Sequence, residues 1–417
     1  MMRFQARKLL AGLVMALAMG LASAGLAQTK VNYFSFTTGS DKLDALEELI
    51  DVFEAENPGI EINYTTADFG SYFTKLQTDF AAGTSPDVFE LNYENFVTFA
   101  SRGTLVDLGG LMAGSSLITD DTFYPAALDA FSYEGVQLGL PITFSTVLLI
   151  YNKDLFDAAG VGYPTDEWTW DDVIAAGKAI TDPAKRVWGI SQPIQFWEFY
   201  KAAAQAGGGL AVTPTVQIDT PENLAAAHYL VDKVRVHHIM PTDAEMSGVG
   251  DVDLFLNQQL GMIVTGIWMF DQFVNGATFD WDVAVEPGGA QKATHFFSNA
   301  AVVSSQSKVP EAAYKWVEFL AAHPAVVESR IEHNWELSAL SLEQAAALEP
   351  SLAKPVPANR EAVFQSLAYA VNPPVVENQP ELQDIMNQEL EAARLGTKTV
   401  EQALADAQKR VEALVGR

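Results

Sequence analysis

Hydrophobic and polar positions alternate along the chain with two different periods. VNYFSF (31–36) reads as a strand, and in DKLDALEELIDVFEAEN (41–57) Leu43, Leu46, Leu49, Ile50 and Phe53 share one helical face. Ser40 reads as the N-cap of that helix, and Asn57, Pro58 and Gly59 stop it. IEINYT (60–65) is a second strand, Tyr72, Phe73, Leu76 and Phe80 mark a second helix, and DVFEL (87–91) is a third strand. Strands separated by helices predict an α/β fold with a parallel or mixed sheet covered on both faces. Ligands bind such sheets outside the carboxyl ends of the strands, so the loops after Phe36, Thr65 and Leu91 face a common crevice.

EGVQLGLPITFSTVLLIYN (134–152) stays extended and apolar for longer than an ordinary strand, with Pro141 inside it. Because proline interrupts a sheet ladder, the expectation is a strand that leaves one domain at Pro141 and enters a second at Phe144. The alternation then repeats. TWDDVIAAGKAI is a helix with Thr169 as N-cap and Asp172 closing a capping box, and a further helix starts at Thr220 and Pro221. GMIVTG (261–266) and WDVAVE (281–286) are strands around a short aromatic helix. The pair Gly288 and Gly289 reads as a second crossing, after which FSNAAVVSS (297–305) and a helix from Pro310 to Ala322 return to the first domain. The chain ends in a helix capped by Thr399 and Gln402.

The 417 residues carry 53 Asp and Glu against 25 Lys and Arg, a net charge of −28. So negative a chain repels phosphate backbones and anionic headgroups, which argues against nucleic acid or a membrane surface as partners. There is no Cys, hence no disulfide, thiolate nucleophile, Cys-based metal site or lipid-modified Cys. Arg3, Arg7 and Lys8 precede an apolar stretch from Leu9 to Ala22 and then small residues, the pattern of a secretory signal peptide over 1–27. Cleavage is expected before Gln28, with a cut after Ala24 as the alternative, placing the protein in a periplasm without a lipid anchor.

Motifs for catalysis are mostly missing: no G-x-S-x-G, no H-E-x-x-H and no phosphate loop. The six His are scattered, Asp251 and Asp253 read as a helix start, and Asp120/Asp121 and Asp171/Asp172 read as capping or solvated acids, so neither a metal nor another cofactor is expected. Phe36, Tyr93, Phe144, Trp197, Trp268 and Trp335 fall in predicted loops and helix starts. Flat aromatics cover the C–H faces of a sugar ring, and Asp, Glu, Asn and Ser bond its hydroxyls.

Taken in order, GIEINY, KLQTDFAAGTSPDVFEL, FYPAALDAF, GLPITFSTVLLIYNKDLFDAAG, WTWDDV, GIW and TVEQALADAQKRV resemble the extracellular solute-binding proteins of carbohydrate ABC transporters over nearly all of the chain after the signal. The resemblance implies a two-lobed periplasmic binding protein fold, each lobe a mixed sheet flanked by helices, with a hinge between them. It divides the chain into lobe one, 28–141 plus 294–337, and lobe two, 142–293 plus 338–417. It implies a monomer that captures a sugar and delivers it to permease subunits, with no reaction of its own. Ligand contacts carried over are Thr38, Ser40 and Asp41 after the first strand, Asp68 and Tyr72, then Tyr93, Glu94 and Asn95, and in lobe two Phe144, Ser145, Trp197, Trp268 and Trp335 in a variable loop. Maltose-binding members carry a carboxylate at the position of Ser145, a departure that counts against maltose here. The alternatives are a secreted carbohydrate-active enzyme and a binder of glycerol-phosphate or another anion. The last would need convergent Arg or Lys, and the candidate loops offer almost none.

Overall fold

The computed structural model describes residues 28–416 apart from 120, 124, 213, 214, 335 and 341–353. The expected signal peptide, Asp120 and Trp335 therefore lie outside the described residues. Strand β1 (Thr29–Ser35), helix α1 (Ser40–Glu56), β2 (Ile60–Thr66), α2 (Phe69–Ala82), β3 (Val88–Asn92) and α3 (Tyr93–Ala100) follow the expected alternation. The start of α1 differs from expectation by one position. Gly39, at φ 97, is the N-cap and Ser40 is the first helical residue, because the turn out of β1 needs a left-handed backbone that glycine adopts without strain.

A two-stranded hairpin, β4 (Ser132–Tyr133) and β5 (Val136–Gln137), leads into β6 (Leu140–Asn152). The remaining elements used below are α4 (Trp170–Ile180), β7 (Trp188–Ser191), α5 (Phe196–Gln205), α6 (Pro221–Arg235), β8 (Leu260–Gly266), α7 (Phe270–Gly276), β9 (Trp281–Val285), β10 (Thr294–Val303), α8 (Pro310–Ala322), α9 (Pro324–Glu332), β11 (Ala370–Val371), α10 (Gln379–Arg394) and α11 (Val400–Val415). The strands run in the order β2-β1-β3-β10-β6-β8-β7, with β9 also on β6 and β11 on β10. β1 is parallel to β2 and β3, while β10 is antiparallel to β3 and β6.

Pro141 does not end the long apolar segment. β6 is one strand of 13 residues, buried along its whole length. It pairs with β10 from Leu140 to Thr146 and with β8 and β9 from Val147 onward. The missing N–H of proline is accommodated by an irregularity: the register shifts between Asn299 and Ala300, opposite Thr143 and Pro141. The return crossing is made by β10, which pairs with β6 from Phe296 to Ala301 and with β3 from Asn299 to Val303. Gly288 and Gly289, read as that crossing from sequence, instead lie against α4: the Gly288 carbonyl accepts the Trp170 N–H, and a Cβ on Gly289 would meet the Trp170 indole at 2.9 Å.

Apolar cores lie on both sides of these crossings. Beside β1 and β3, Val31, Leu49, Phe53, Val303 and Trp316 pack together, and Trp316 makes edge contacts with Tyr33 and Phe53. Beyond the crossings, Leu148, Ile150, Ile263, Phe273 and Val283 form a second core, and Phe199, Leu230, Met386, Leu404 and Val411 join α5, α6, α10 and α11. The capping boxes read from sequence are in place, Asp172 on Thr169 and Gln402 on Thr399.

A cluster of charged groups is buried within this scaffold. Lys201 on α5, fully buried, lies 2.6 Å from Glu198 and 2.5 Å from Glu286, which follows β9. Burial pushes the Glu286 carboxyl up to about 7 against the opposing pull of Lys201. Removing this cation takes away the direct ion-pair partner of both carboxylates and leaves only buried Lys233 in their field, and breaking a buried pair from one side typically costs about 3–5 kcal/mol. Lys201→Met is expected to destabilise by that order at pH 8 and by less at pH 5, where Glu286 takes up a proton. Denaturant titration at the two pH values checks this, and an equal loss at both would count against the pair.

Candidate functional site

A cleft with an open volume of ≈ 350 Å³ lies where the crossing strands pass between the two halves. Its size falls in the range of small-molecule sites. The backbone accounts for its lining. Phe36, Thr37 and Thr38 leave the carboxyl end of β1, Asn92 ends β3, and Trp268 follows the end of β8, as the crevice rule for such sheets requires. The crossing strands supply the floor, Ile142, Thr143 and Ser145 from β6 and Phe297 and Asn299 from β10. Lys42 of α1, Phe69 of α2, Arg330 of α9 and Glu336 complete the wall.

Aromatic faces bound the cleft on both sides. Trp268 is half-buried and packs edge-on against Phe297 at 5.2 Å between ring centres, while Phe36 packs edge-on against the exposed Phe69 at 5.4 Å. The indole of Trp268 is laid over the backbone of Gly266, where a Cβ would come within 1.9 Å of Cζ3. Only glycine permits that approach, so the turn GIW is built to present the indole to the cleft.

The polar groups are held from behind. Asn92 donates to Glu94 (2.7 Å) and accepts from Asn95 (2.8 Å), and Asn299 donates to the Thr143 hydroxyl (2.9 Å). Glu90 accepts hydrogen bonds from the Tyr33 and Ser35 hydroxyls and lies within the field of Arg330. Burial nonetheless outweighs these contacts and pushes its carboxyl up to about 7. Buried Arg330 sits among Glu336, Glu90 and Tyr33, and burial lowers its pKa. The Ser145 hydroxyl and one Glu336 oxygen are buried in the wall with no hydrogen-bond partner among the described residues. Buried polar groups are normally satisfied, so these two atoms carry unused hydrogen-bonding capacity in the cleft wall.

Among the residues expected from sequence, Phe36, Thr38, Ser145 and Trp268 come together in this lining. The others take different places. Tyr72 is fully buried, stacked on Phe34, with its hydroxyl bonded to the Phe34 and Glu90 backbones, and is a core residue. Phe144 alternates away from the cleft on β6, stacks on Phe296 and is 2% exposed. Glu94 and Asn95 are buried behind Asn92, and Glu94 also bonds His295 at 3.0 Å. Tyr93 is half-buried against the Phe34 and Phe89 core. Asp68 is the exposed N-cap of α2, its carboxylate accepting from Ser71. Trp197 is half-buried beside Phe297, behind the lining, with its indole N–H on Gln195. Asp41 is exposed at the start of α1, outside the lining; the Ser40 side chain and Trp335 lie outside what the structure describes.

Sequence reasoning missed Glu90, Asn92, Thr143 and Asn299, although each is a polar residue within an apolar strand, a signal that could have found them. It also expected almost no cation at the site, yet Lys42 and Arg330 both reach the cleft, each facing carboxylates. Among the described residues no group of His, Cys, Asp and Glu could hold a metal ion, and no helix is long and apolar enough to cross a membrane.

Glu90 gives a pH test. Its folded pKa lies above its ordinary value, so its contribution to stability is present at pH 4.5 and below and is lost as pH rises through about 7. Glu90→Gln removes that loss. The variant is expected to gain on the native chain between pH 5 and pH 8 by up to about 3 kcal/mol, at about 1.4 kcal/mol per pKa unit. Parallel melting curves at the two pH values would refute this.

Comparison with known proteins agrees with the fold. The sequence model of the bacterial extracellular solute-binding protein family matches residues 39–327. An ABC substrate-binding protein from Listeria monocytogenes, solved in complex with cycloalternan, is 44% identical, with TM-score 0.90, over 93% of this chain and 99% of that one. A solute-binding protein from Thermotoga lettingae, bound with alpha-D-tagatose, shares the fold at 23% identity and TM-score 0.83, over 93% and 100% of the two chains. A binding protein of Brucella abortus is 28% identical over 322 residues, 75% of this chain and 76% of its own.

Proposed function

Since the chain belongs to the bacterial extracellular solute-binding proteins, a family of binding proteins rather than enzymes, we propose that its cleft captures a carbohydrate, an oligosaccharide in particular, for an ABC importer. The observation that carries this is the meeting of two kinds of surface in one cleft: the Trp268 indole presented over Gly266, and the unpartnered buried Ser145 hydroxyl beside Asn92, Thr143 and Asn299. A sugar has apolar ring faces and an equator of hydroxyls, and each surface suits one of them. The complex of the Listeria monocytogenes relative with cycloalternan supports an oligosaccharide. An anion fits less well, since Lys42 and Arg330 already face Asp271, Glu336 and Glu90.

In this reading the two halves are lobes, divided near the boundaries expected from sequence. They close on the ligand through β6 and β10, and the loaded monomer delivers the sugar to permease subunits from the periplasm.

A thermal-shift panel of cycloalternan, linear maltooligosaccharides, glucose and glycerol phosphate tests the class, since a bound ligand raises stability by mass action. Stabilisation by an oligosaccharide and none by glycerol phosphate is expected; stabilisation by glycerol phosphate alone would overturn the proposal. For a saccharide found in this way, Trp268→Ala is expected to weaken binding more than about tenfold, at least about 2 kcal/mol, as for buried aromatic anchors. Gly266→Ala should act in the same direction without deleting the indole, because the new Cβ displaces it. Unchanged calorimetric affinity in both variants would remove Trp268 from the binding surface.

A further inference from the structure

Lys42 joins the two walls of the cleft. It lies in the first turn of α1, on the side of β1 and β3, and its side chain lines the cleft. Its ammonium crosses to the other wall and donates to the backbone carbonyl of Trp268 at 3.1 Å, with the Asp271 carboxylate on α7 at 3.9 Å. The two side chains are only 13% and 15% exposed, so this contact is shielded from solvent and salt far more than a surface ion pair. The acceptor is the main chain of the same residue whose indole faces the cleft. Its orientation is also constrained locally, by the close approach to Gly266 and the edge contact with Phe297. Asp271 keeps its other oxygen buried without a hydrogen-bond partner among the described residues, which leaves it dependent on the Lys42 charge.

We propose that Lys42 is a positioning residue that straps the Trp268 wall to the α1 wall. It biases the ligand-free protein toward the closed spacing of the two walls and holds the stacking indole at the height a sugar face requires. Its role is exerted through Trp268 and does not depend on a charge in the ligand. The proposal extends the capture reading, and only its affinity arm rests on it.

Because the chain has no Cys, two spin labels can be introduced cleanly at exposed positions on the two sides, Thr74→Cys on α2 and Asn275→Cys on α7. Pulsed electron resonance then reads the distance between them in ligand-free protein. Lys42→Met is expected to shift the distribution to longer distances, and Lys42→Arg, which keeps charge and donors, to restore it. Identical distributions for the native chain and Lys42→Met would overturn the strap. Should Lys42→Met fail to fold, Asp271→Asn decides in its place: a smaller shift in the same direction supports the strap, and none overturns it. In the affinity arm, Lys42→Met should bind cycloalternan about fivefold more weakly, the scale of one ordinary hydrogen bond, because the effect reaches the sugar only through Trp268, and Lys42→Arg close to natively. If the native chain binds no cycloalternan while the ligand-free distances still respond to Lys42→Met, that ligand assignment fails and the strap stands.

Discussion

Strand β6 changes partners part-way along its length, and the rest of the molecule is arranged around that change. From Leu140 to Thr146 it pairs with β10, with the Phe144 N–H donating instead to the Leu337 carbonyl, and from Val147 to Asn152 it pairs with β8 and β9. A strand buried along all 13 residues must keep its ladder paired, since an unpaired buried amide costs as much as a lost hydrogen bond. The halves can therefore be joined here only by a continuous pairing that passes from one to the other. The single irregularity lies at Pro141, where no N–H is available to bond.

That geometry also makes the site. At the exchange of partners, side chains of β6 and β10 point into the space between the halves, and the carboxyl ends of β1, β3 and β8 converge on it. Thr143, Ser145, Phe297 and Asn299 come from the crossing strands, and Phe36, Asn92 and Trp268 from the strand ends. The cleft is thus a consequence of the topology, and its chemistry is a choice of residues at positions the topology exposes.

Buried charge recurs on either side of the crossings. Glu90 and Arg330 sit beside the cleft, and Lys201 with Glu198 and Glu286 lies within the α5–β9 scaffold. In both places burial raises a carboxyl toward neutrality, and a cation nearby opposes it. Hydrophobic packing of similar volume could hold these elements together as well. Near the cleft, a buried charge set has a further effect: it leaves oriented polar groups in a wall where a hydroxylated ligand can use them.

Periodicity alone marked most strands and helices, because side chains repeat every 2 residues in a half-buried strand and every 3.6 in a helix whatever lies across from them. Capping at Thr169 and Thr399, the length of β6 and the glycine before Trp268 were legible for the same reason, each being set by neighbours in sequence. The site was only partly legible. Phe36, Thr38, Ser145 and Trp268 could be placed because they follow strand ends or lie on the crossing strand. Tyr72 and Phe144 were misplaced because a face of α2 or a side of β6 becomes cleft or core only when another element packs on it. Glu94 and Asn95 stand one helical turn from the opening and support Asn92 instead of lining it. Lys42, Arg330 and Glu336 carried no local signal, since their meeting depends on contacts between segments hundreds of residues apart. Local backbone chemistry determined the elements, and the packing of one half against the other decided which of their side chains became the site.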